Sequence, residues 1–320
     1  MIEKIKKIFK RVKSDKDSSP IFVVISMAYF GDSLVGNSLF QNIKILYPNA
    51  KTIFIINKPF YEVAKYQKDV DEVYVYDKKC EHKGIWGLFK FVKQFPYKNI
   101  QYVFKMCEKR RVDIISILLK PKKIINYKHD TSIPSHERYS NLLKEVTNEK
   151  ILKLPIVYNA DDNIPIKFHN LITKDKKYIT ICTTASSIAR DMPSETIIKL
   201  TKMLNNDGFK IILVGVGERA KQHSEILKYN NCKFIDLVDK TTIYELAQCL
   251  RNSEALISVD TGTMHLGYAS NVPTVCVFYV KETIKGWAPD KILYPHTILP
   301  ENNTPENIYE ACSQIITQNI

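Results

Sequence analysis

The stretch Ser258-Val-Asp-Thr-Gly-Thr-Met-His-Leu-Gly-Tyr-Ala-Ser-Asn-Val-Pro-Thr-Val-Cys-Val-Phe278 decides how this chain is read. A strand, Ala255-Leu-Ile-Ser258, ends and small residues turn the chain. A helix then runs from Met264 to Ser270, and a second strand follows from Pro273. Backbone N–H groups at Thr261, Gly262 and Thr263 then point at an anion beyond the strand end. Gly262 carries no side chain to block its approach. The hydroxyls of Thr261 and Thr263 and the ring of His265 add donors. The same pattern also fits a plain strand-to-helix turn with Asp260 as its cap, and the pattern alone does not choose.

The alternation extends in both directions. In the C-terminal half, strands are expected at Tyr178–Cys182, Phe209–Val214 and Pro273–Phe278, with helices at Ser194–Asn205, Thr242–Arg251 and Pro305–Ile316. In the N-terminal half, strands are expected at Pro20–Ser26, Lys51–Ile56, Asp71–Tyr76 and Lys122–Asn126. Helices there are expected after Gly31-Asp32-Ser33, at Tyr61–Tyr66 and at Gly84–Phe95. Such alternation implies parallel sheets with helices on both faces. The stretch from Pro155 to Asp175 lacks periodicity and divides the halves. The expected layout is a basic leader over 1–19, a domain over 20–160, a linker over 161–177, a domain over 178–304 and a terminal helix over 305–320. Two doubly wound halves would face each other across a ligand cleft.

Composition narrows the function classes. The chain has 320 residues with 45% hydrophobic content, enough for two cores. The seven cysteines form no Cys-x-x-Cys pair, which points to free thiols in a reducing cytoplasm. The seven histidines form no metal-binding spacing, so no metal site is expected. The net charge of +13 favours anionic partners, but no nucleic-acid-binding module is recognisable. No signal peptide or spanning segment is evident, so the expected location is cytoplasmic. Residues 1–17 combine seven Lys/Arg with Ile5, Ile8, Phe9 and Val12 at helical spacing. They read either as an amphipathic helix on the anionic inner face of the membrane or as a helix packed on its own domain.

The segment from Asp260 to Phe278 resembles the signature of glycosyltransferase family 9, best known for the lipopolysaccharide heptosyltransferases. That signature is an Asp-(Ser/Thr)-Gly-x-x-His-Leu block followed by a Val-Pro-Thr-like turn. Tyr279 stands where the family usually has Gly. Phe30-Gly-Asp-Ser-Leu-Val-Gly-Asn-Ser through Leu46-Tyr-Pro-Asn-Ala50 resembles the family's first loop and helix, with Asn37 and Ser38 in place of a small residue and Pro. In Thr183-Thr-Ala-Ser-Ser-Ile-Ala-Arg-Asp-Met-Pro193, Arg190 holds the position of a phosphate-binding Lys, and Met192 replaces Trp.

The resemblance implies a GT-B fold, an α/β arrangement of two Rossmann-like domains. It also implies inverting, metal-independent transfer of a sugar, by default heptose from ADP-heptose, onto a bacterial surface glycan or glycolipid. Asp32 is implied as the catalytic base; its residue type alone equally suits a helix cap. Donor binding is implied for Thr183, Thr184, Arg190, Glu218, Thr241, Asp260, Thr261, Gly262, Thr263 and His265. Glu218 would bind the ribose, and Lys240-Thr241 would line the base pocket. Ser135-His-Glu-Arg-Tyr139 resembles a family cluster through which Arg138 would contact an acidic acceptor; by itself it reads as a solvated helix start. No cofactor is implied beyond the nucleotide-sugar substrate. The competing readings are a nucleotide-sugar epimerase or hydrolase of the same fold, and a non-catalytic nucleotide-binding relic.

Overall fold

A computed structural model describes residues 19–318, so the basic leader expected over 1–19 lies, but for Ser19, outside the described residues. The chain divides into two compact units. One takes the residues up to Asp130 together with Ser135–Ile156, and the other takes Thr131–Pro134 and Val157 onward.

The first unit is built on a five-stranded sheet. Its strands are β1 (Ile21–Ser26), β2 (Lys51–Asn57), β3 (Glu72–Tyr76), β4 (Ile100–Lys105) and β5 (Lys123–Ile125), in the order β3-β2-β1-β4-β5. Every pairing is parallel, with Val23 opposite both Ile53 and Val103. Helices cover both faces of such a sheet, so its central strands need apolar residues on both sides. Phe22, Val23, Val24 and Ile25 are accordingly all fully buried. Strand β4 was not expected from the sequence. Nor was the helix Arg110–Leu118, which opens with two arginines and buries only Val112, Ile115 and Ser116. The single helix expected after Gly31 is two, α1 (Phe30–Val35) and α2 (Asn37–Leu46), joined at Gly36.

The second unit has six parallel strands. They are β6 (Tyr178–Cys182), β7 (Lys210–Val214), β8 (Phe234–Asp236), β9 (Ala255–Val259), β10 (Thr274–Val277) and β11 (Thr297–Ile298), in the order β11-β10-β9-β6-β7-β8. Here β8, β11 and the helix Glu218–Tyr229 were not expected. That helix buries little beyond Ala220, Ser224 and Leu227, so its apolar signal is faint. Residues 157–177 belong to this unit rather than lying apart from it, with Phe168 and Ile172 buried. The terminal helix, Pro305–Gln318, packs Ile308, Cys312 and Ile315 into the same core.

Both sheets have a topological switch point, where successive connections leave in opposite directions. It lies between β1 and β4 in the first unit and between β6 and β9 in the second. Open parallel sheets bind ligands in the crevice at the carboxyl ends of the two strands flanking that point. Among the described residues no helix is long and apolar enough to cross a membrane.

Candidate active site

Asp32 lies just past the carboxyl end of β1, at the first switch point. It stands in the first turn of α1, whose N-cap is Tyr29, and that cap receives no side-chain hydrogen bond. The carboxylate is therefore not a cap. Its Oδ1 accepts a 2.8 Å hydrogen bond from the hydroxyl of Tyr139. Burial pushes the Asp32 carboxyl above its ordinary pKa, while the Tyr139 hydrogen bond and the nearby Arg138 charge oppose that rise. Tyr139 is wholly buried, and its own hydroxyl is held well above the usual range, first by that burial and then by the Asp32 charge.

The segment carrying Tyr139 corrects the expectation of a solvated helix start. Ser135, His136, Arg138 and Tyr139 are all buried. The two family departures on α2 bear on this. Ser38 Oγ donates to the His136 carbonyl at 2.8 Å, fixing the segment against the helix. Asn37 Nδ2 donates to the Lys68 carbonyl at 2.7 Å. Arg138 donates from Nη1 to the Tyr127 hydroxyl at 3.0 Å, and the Tyr127 ring stacks on Tyr139 with centroids 5.3 Å apart. Arg138 is thus part of the framework around Asp32 and not an exposed arm. Across the switch point, Lys109 donates from Nζ to the Met27 carbonyl and lies 5.7 Å from the centre of the Tyr29 ring. Tyr29 is 68% exposed and adjoins α1. Sequence reasoning passed over Tyr139, Tyr127, Lys109 and Tyr29. Tyr139 had one usable signal, its place next to Arg138 in the quoted cluster.

At the second switch point, the loop after β6 and the loop after β9 are joined by an ion pair. Arg190 Nη1 lies 3.2 Å from both Oδ2 and the backbone carbonyl of Asp260, and Nη2 donates to Ser186 Oγ. Asp260 is 2% exposed, whereas the Arg190 side chain keeps 20% exposure. Asp260 is therefore the anchor of a guanidinium whose outer edge remains open. It is not the helix cap, a position that Thr261 takes. The helix begins at Gly262, two residues earlier than expected, and runs to Ala269.

A second pair holds the loop from below. Asp191 accepts from the Ala185 amide at 2.8 Å and from Arg219, which also donates to the Ala185 carbonyl. The Met192 amide closes the loop onto the Thr183 carbonyl at 2.9 Å. Met192, at the family's Trp position, is buried in the second core, and Tyr279, at the family's Gly position, packs against that core.

Two expected donor-site residues turn inward. The Thr183 hydroxyl is fully buried and bonded to His223 Nδ1 at 2.9 Å, so it does not face a ligand. His265 is 2% exposed, and its Nδ1 is 2.5 Å from the Tyr268 hydroxyl. Burial pushes its pKa down to about 4 against the pull of the Asp260 charge, so the ring is neutral and brings no cation. Thr184 lies at the end of β6, close to Gly215. Glu218 is exposed at the start of its helix, after the turn where Gly217 takes φ +83° and donates to Asp239 Oδ1 at 2.9 Å. Only glycine takes such a φ without strain. Thr241, half-buried, follows β8. All these loops leave the carboxyl edge of one sheet.

Two parallel sheets, each with polar side chains gathered at its switch point, define a doubly wound α/β protein. The sequence profile of glycosyltransferase family 9 (heptosyltransferase) matches residues 115–307. The chain belongs to this family and is a glycosyltransferase. It is 23% identical over 261 residues to lipooligosaccharide heptosyltransferase 2 of Campylobacter jejuni serotype O:2, covering 78% of each chain. The serotype O:6 counterpart is 24% identical over 263 residues, again covering 78% of each. A family 9 glycosyltransferase from Veillonella parvula superposes with a TM-score of 0.79 at 15% identity, over 96% of this chain and 100% of that one. The E. coli ADP-heptose lps heptosyltransferase II gives 0.73 at 15% identity, over 94% and 99%. These likenesses establish the GT-B class of fold.

Proposed function

We propose that this enzyme transfers heptose from ADP-heptose to a lipooligosaccharide or lipopolysaccharide core acceptor, with inversion and without a metal ion. The observation that carries the reading is the Arg190–Asp260 pair at the second switch point, beside the N-terminus of the helix Gly262–Ala269. Amides at a helix N-terminus and a guanidinium fork both suit a diphosphate. The loops after β9, β6, β7 and β8 follow one another along the sheet edge, across three inter-strand spacings or roughly 14 Å. A nucleoside diphosphate laid along that edge would put its phosphates at Arg190, Thr261, Gly262 and Thr263. Its ribose would reach Glu218, and its base Thr241. The relatives named as heptosyltransferases, and the fold shared with an ADP-heptose enzyme, support heptose and adenine.

In this mechanism ionised Asp32 takes the proton from the acceptor hydroxyl as that oxygen attacks the anomeric carbon. The bond from that carbon to the diphosphate oxygen breaks, and the departing oxygen keeps the electron pair. Its charge is met by Arg190 and the helix amides. A buried carboxyl with a raised pKa is a stronger base than an exposed one, and Tyr139 keeps it ionised and oriented.

The test is turnover of ADP-heptose against UDP- and GDP-linked sugars on a core oligosaccharide, with the product's anomeric configuration read by NMR. Inverted product from the ADP-linked donor alone is expected. Retained configuration, or preference for another nucleotide, would overturn the reading.

A further inference from the structure

The helix Gly84–Gln94 reads GIWGLFKFVKQ and has apolar residues on more than one side. Its inner side is fixed. Leu88 and Phe91 are buried in the first core. Gly87 approaches His82 so closely that an added Cβ would stand 2.2 Å from the His82 carbonyl carbon. His82 in turn stacks on Tyr76, with centroids 5.3 Å apart, and meets Phe91 edge-on. Locked in this way, the helix cannot roll to hide its other side.

That other side exposes Trp86 at 81%, Ile85 at 51% and Phe89 at 47%. The Trp86 and Phe89 rings are neighbours, with centroids 6.1 Å apart. Positions 86, 89, 90 and 93 share one helical face, so Lys90 and Lys93 border the rings. Lys78, Lys79 and Lys83 precede the helix, and all five lysines are exposed. The acidic groups nearby are Glu81, which pairs with Lys90 at 3.3 Å, and Asp77, which is buried and holds Lys58. Scattered exposed apolar residues are ordinary, but a contiguous aromatic patch rimmed by five lysines against one exposed carboxylate, Glu81, marks an interaction surface.

We infer that this face docks on an anionic phospholipid bilayer. The Trp86, Phe89 and Ile85 side chains enter the boundary between headgroups and acyl chains, and the lysines meet lipid phosphates. The chemistry favours lipid because indole and phenyl rings ringed by lysines fit an apolar layer beneath a sheet of negative charge, and the chain's net charge of +13 adds attraction. None of the residues that form this surface belongs to the leader over 1–17. The helix follows β3 through the loop holding His82, so its first turn lies toward the carboxyl edge of the sheet that carries Asp32. Docking there brings that edge to the bilayer.

The test uses the full chain with vesicles of phosphatidylethanolamine and phosphatidylglycerol, against vesicles of phosphatidylcholine alone. Sedimentation with the anionic vesicles is expected, with a blue shift of tryptophan emission that Trp86→Phe abolishes. Trp86→Ser/Phe89→Ser should weaken binding roughly tenfold or more with an unchanged melting temperature. Lys90→Gln/Lys93→Gln, which leaves the rings in place, should weaken binding to the anionic vesicles and serves if the first variant misfolds. Equal vesicle binding by both variants and the wild type would overturn the proposal. So would absence of binding to the anionic vesicles, and a self-association that Trp86→Ser/Phe89→Ser removes would then assign the face to a second copy of the chain.

Discussion

Tyr139 donates a 2.8 Å hydrogen bond to Asp32 Oδ1 across 107 positions of the chain. The contact joins the turn after the first strand to a short helix near the end of the same unit, and both groups are withdrawn from bulk water. An ionised carboxylate gains most from such a bond where water is scarce, because the bond partly replaces the lost hydration. The pair is a means of keeping a buried acid charged.

Tyr139→Phe should therefore move the acid limb of the pH–rate profile. As the proposed base, Asp32 can act only when ionised, so turnover should rise with pH through its pKa. Burial already raises that pKa and the Tyr139 hydrogen bond lowers it; losing the bond must move the limb to higher pH. A roughly tenfold loss of kcat/KM near neutral pH is expected, recovering as pH increases. A profile that falls uniformly without shifting would show that Tyr139 serves packing only.

Asp32→Asn should lose about 10²–10⁴ in turnover while binding ADP normally. It should also melt no lower than the wild type at neutral pH. A carboxyl whose pKa is raised by folding favours the protonated form, so its contribution to stability is lost as pH rises through the folded pKa. Replacing it with a neutral amide removes that cost. A helix-capping aspartate would predict the reverse, a lower melting temperature with near-normal activity.

Much of the fold is legible in the sequence. The β-branched runs at Ile21–Ser26, Lys51–Asn57 and Tyr178–Cys182 are strands because central parallel strands are buried on both faces. The Asp260–Thr263 turn and Arg190 were singled out, and the structure brings them together. What stayed hidden depends on tertiary contact. No local pattern tells that Asp32 faces Tyr139, or that the Thr183 hydroxyl turns inward to His223. Nor does the residue type of His265 disclose that burial, helped by the Arg190 charge, pushes its pKa down. The helix Glu218–Tyr229 escaped because it is polar nearly all round.

Arg190→Ala should act twice. Losing a charged hydrogen bond to phosphate would weaken ADP binding by about 1.5–3 kcal/mol, roughly ten- to a hundredfold. It would also leave the buried Asp260 without its cation and lower the melting temperature. Arg190→Ala/Asp260→Asn separates the two effects. Its melting temperature should recover most of the loss, while ADP affinity measured by calorimetry stays weak. Recovery of affinity along with stability would remove Arg190 from the phosphate site.

Turnover should survive EDTA. The cation proposed to face the diphosphate is Arg190, whose guanidinium keeps an open edge beside the helix N-terminus. The enzyme treated with excess chelator is expected to retain its rate within about twofold, well under the tenfold change that 1.4 kcal/mol of transition-state stabilisation represents. Abolition by EDTA with rescue by magnesium or manganese would assign the leaving group to a metal.

His265 should make the protein acid-sensitive over a defined window. Folding lowers its pKa from 6.5 to about 4, chiefly by burial. In the unfolded chain the ring takes a proton near pH 6.5, but in the folded chain it does not do so until about pH 4. Stability from this group is thus fully present above pH 6.5 and is lost progressively as pH falls toward 4, in total on the order of 3 kcal/mol. Denaturant unfolding measured across that interval should slope downward with falling pH. The His265→Gln protein should be less stable at neutral pH, because the Tyr268 contact is altered, but its slope should be shallower. His223 and His296 are also lowered by burial, so part of the slope will remain in that variant. An identical slope in wild type and His265→Gln would mean that the His265 ring takes its proton over the same pH range in the folded chain as in the unfolded one. The ring would then be free to charge below pH 6.5, and its exclusion as a cation for the donor phosphates would fail in that range.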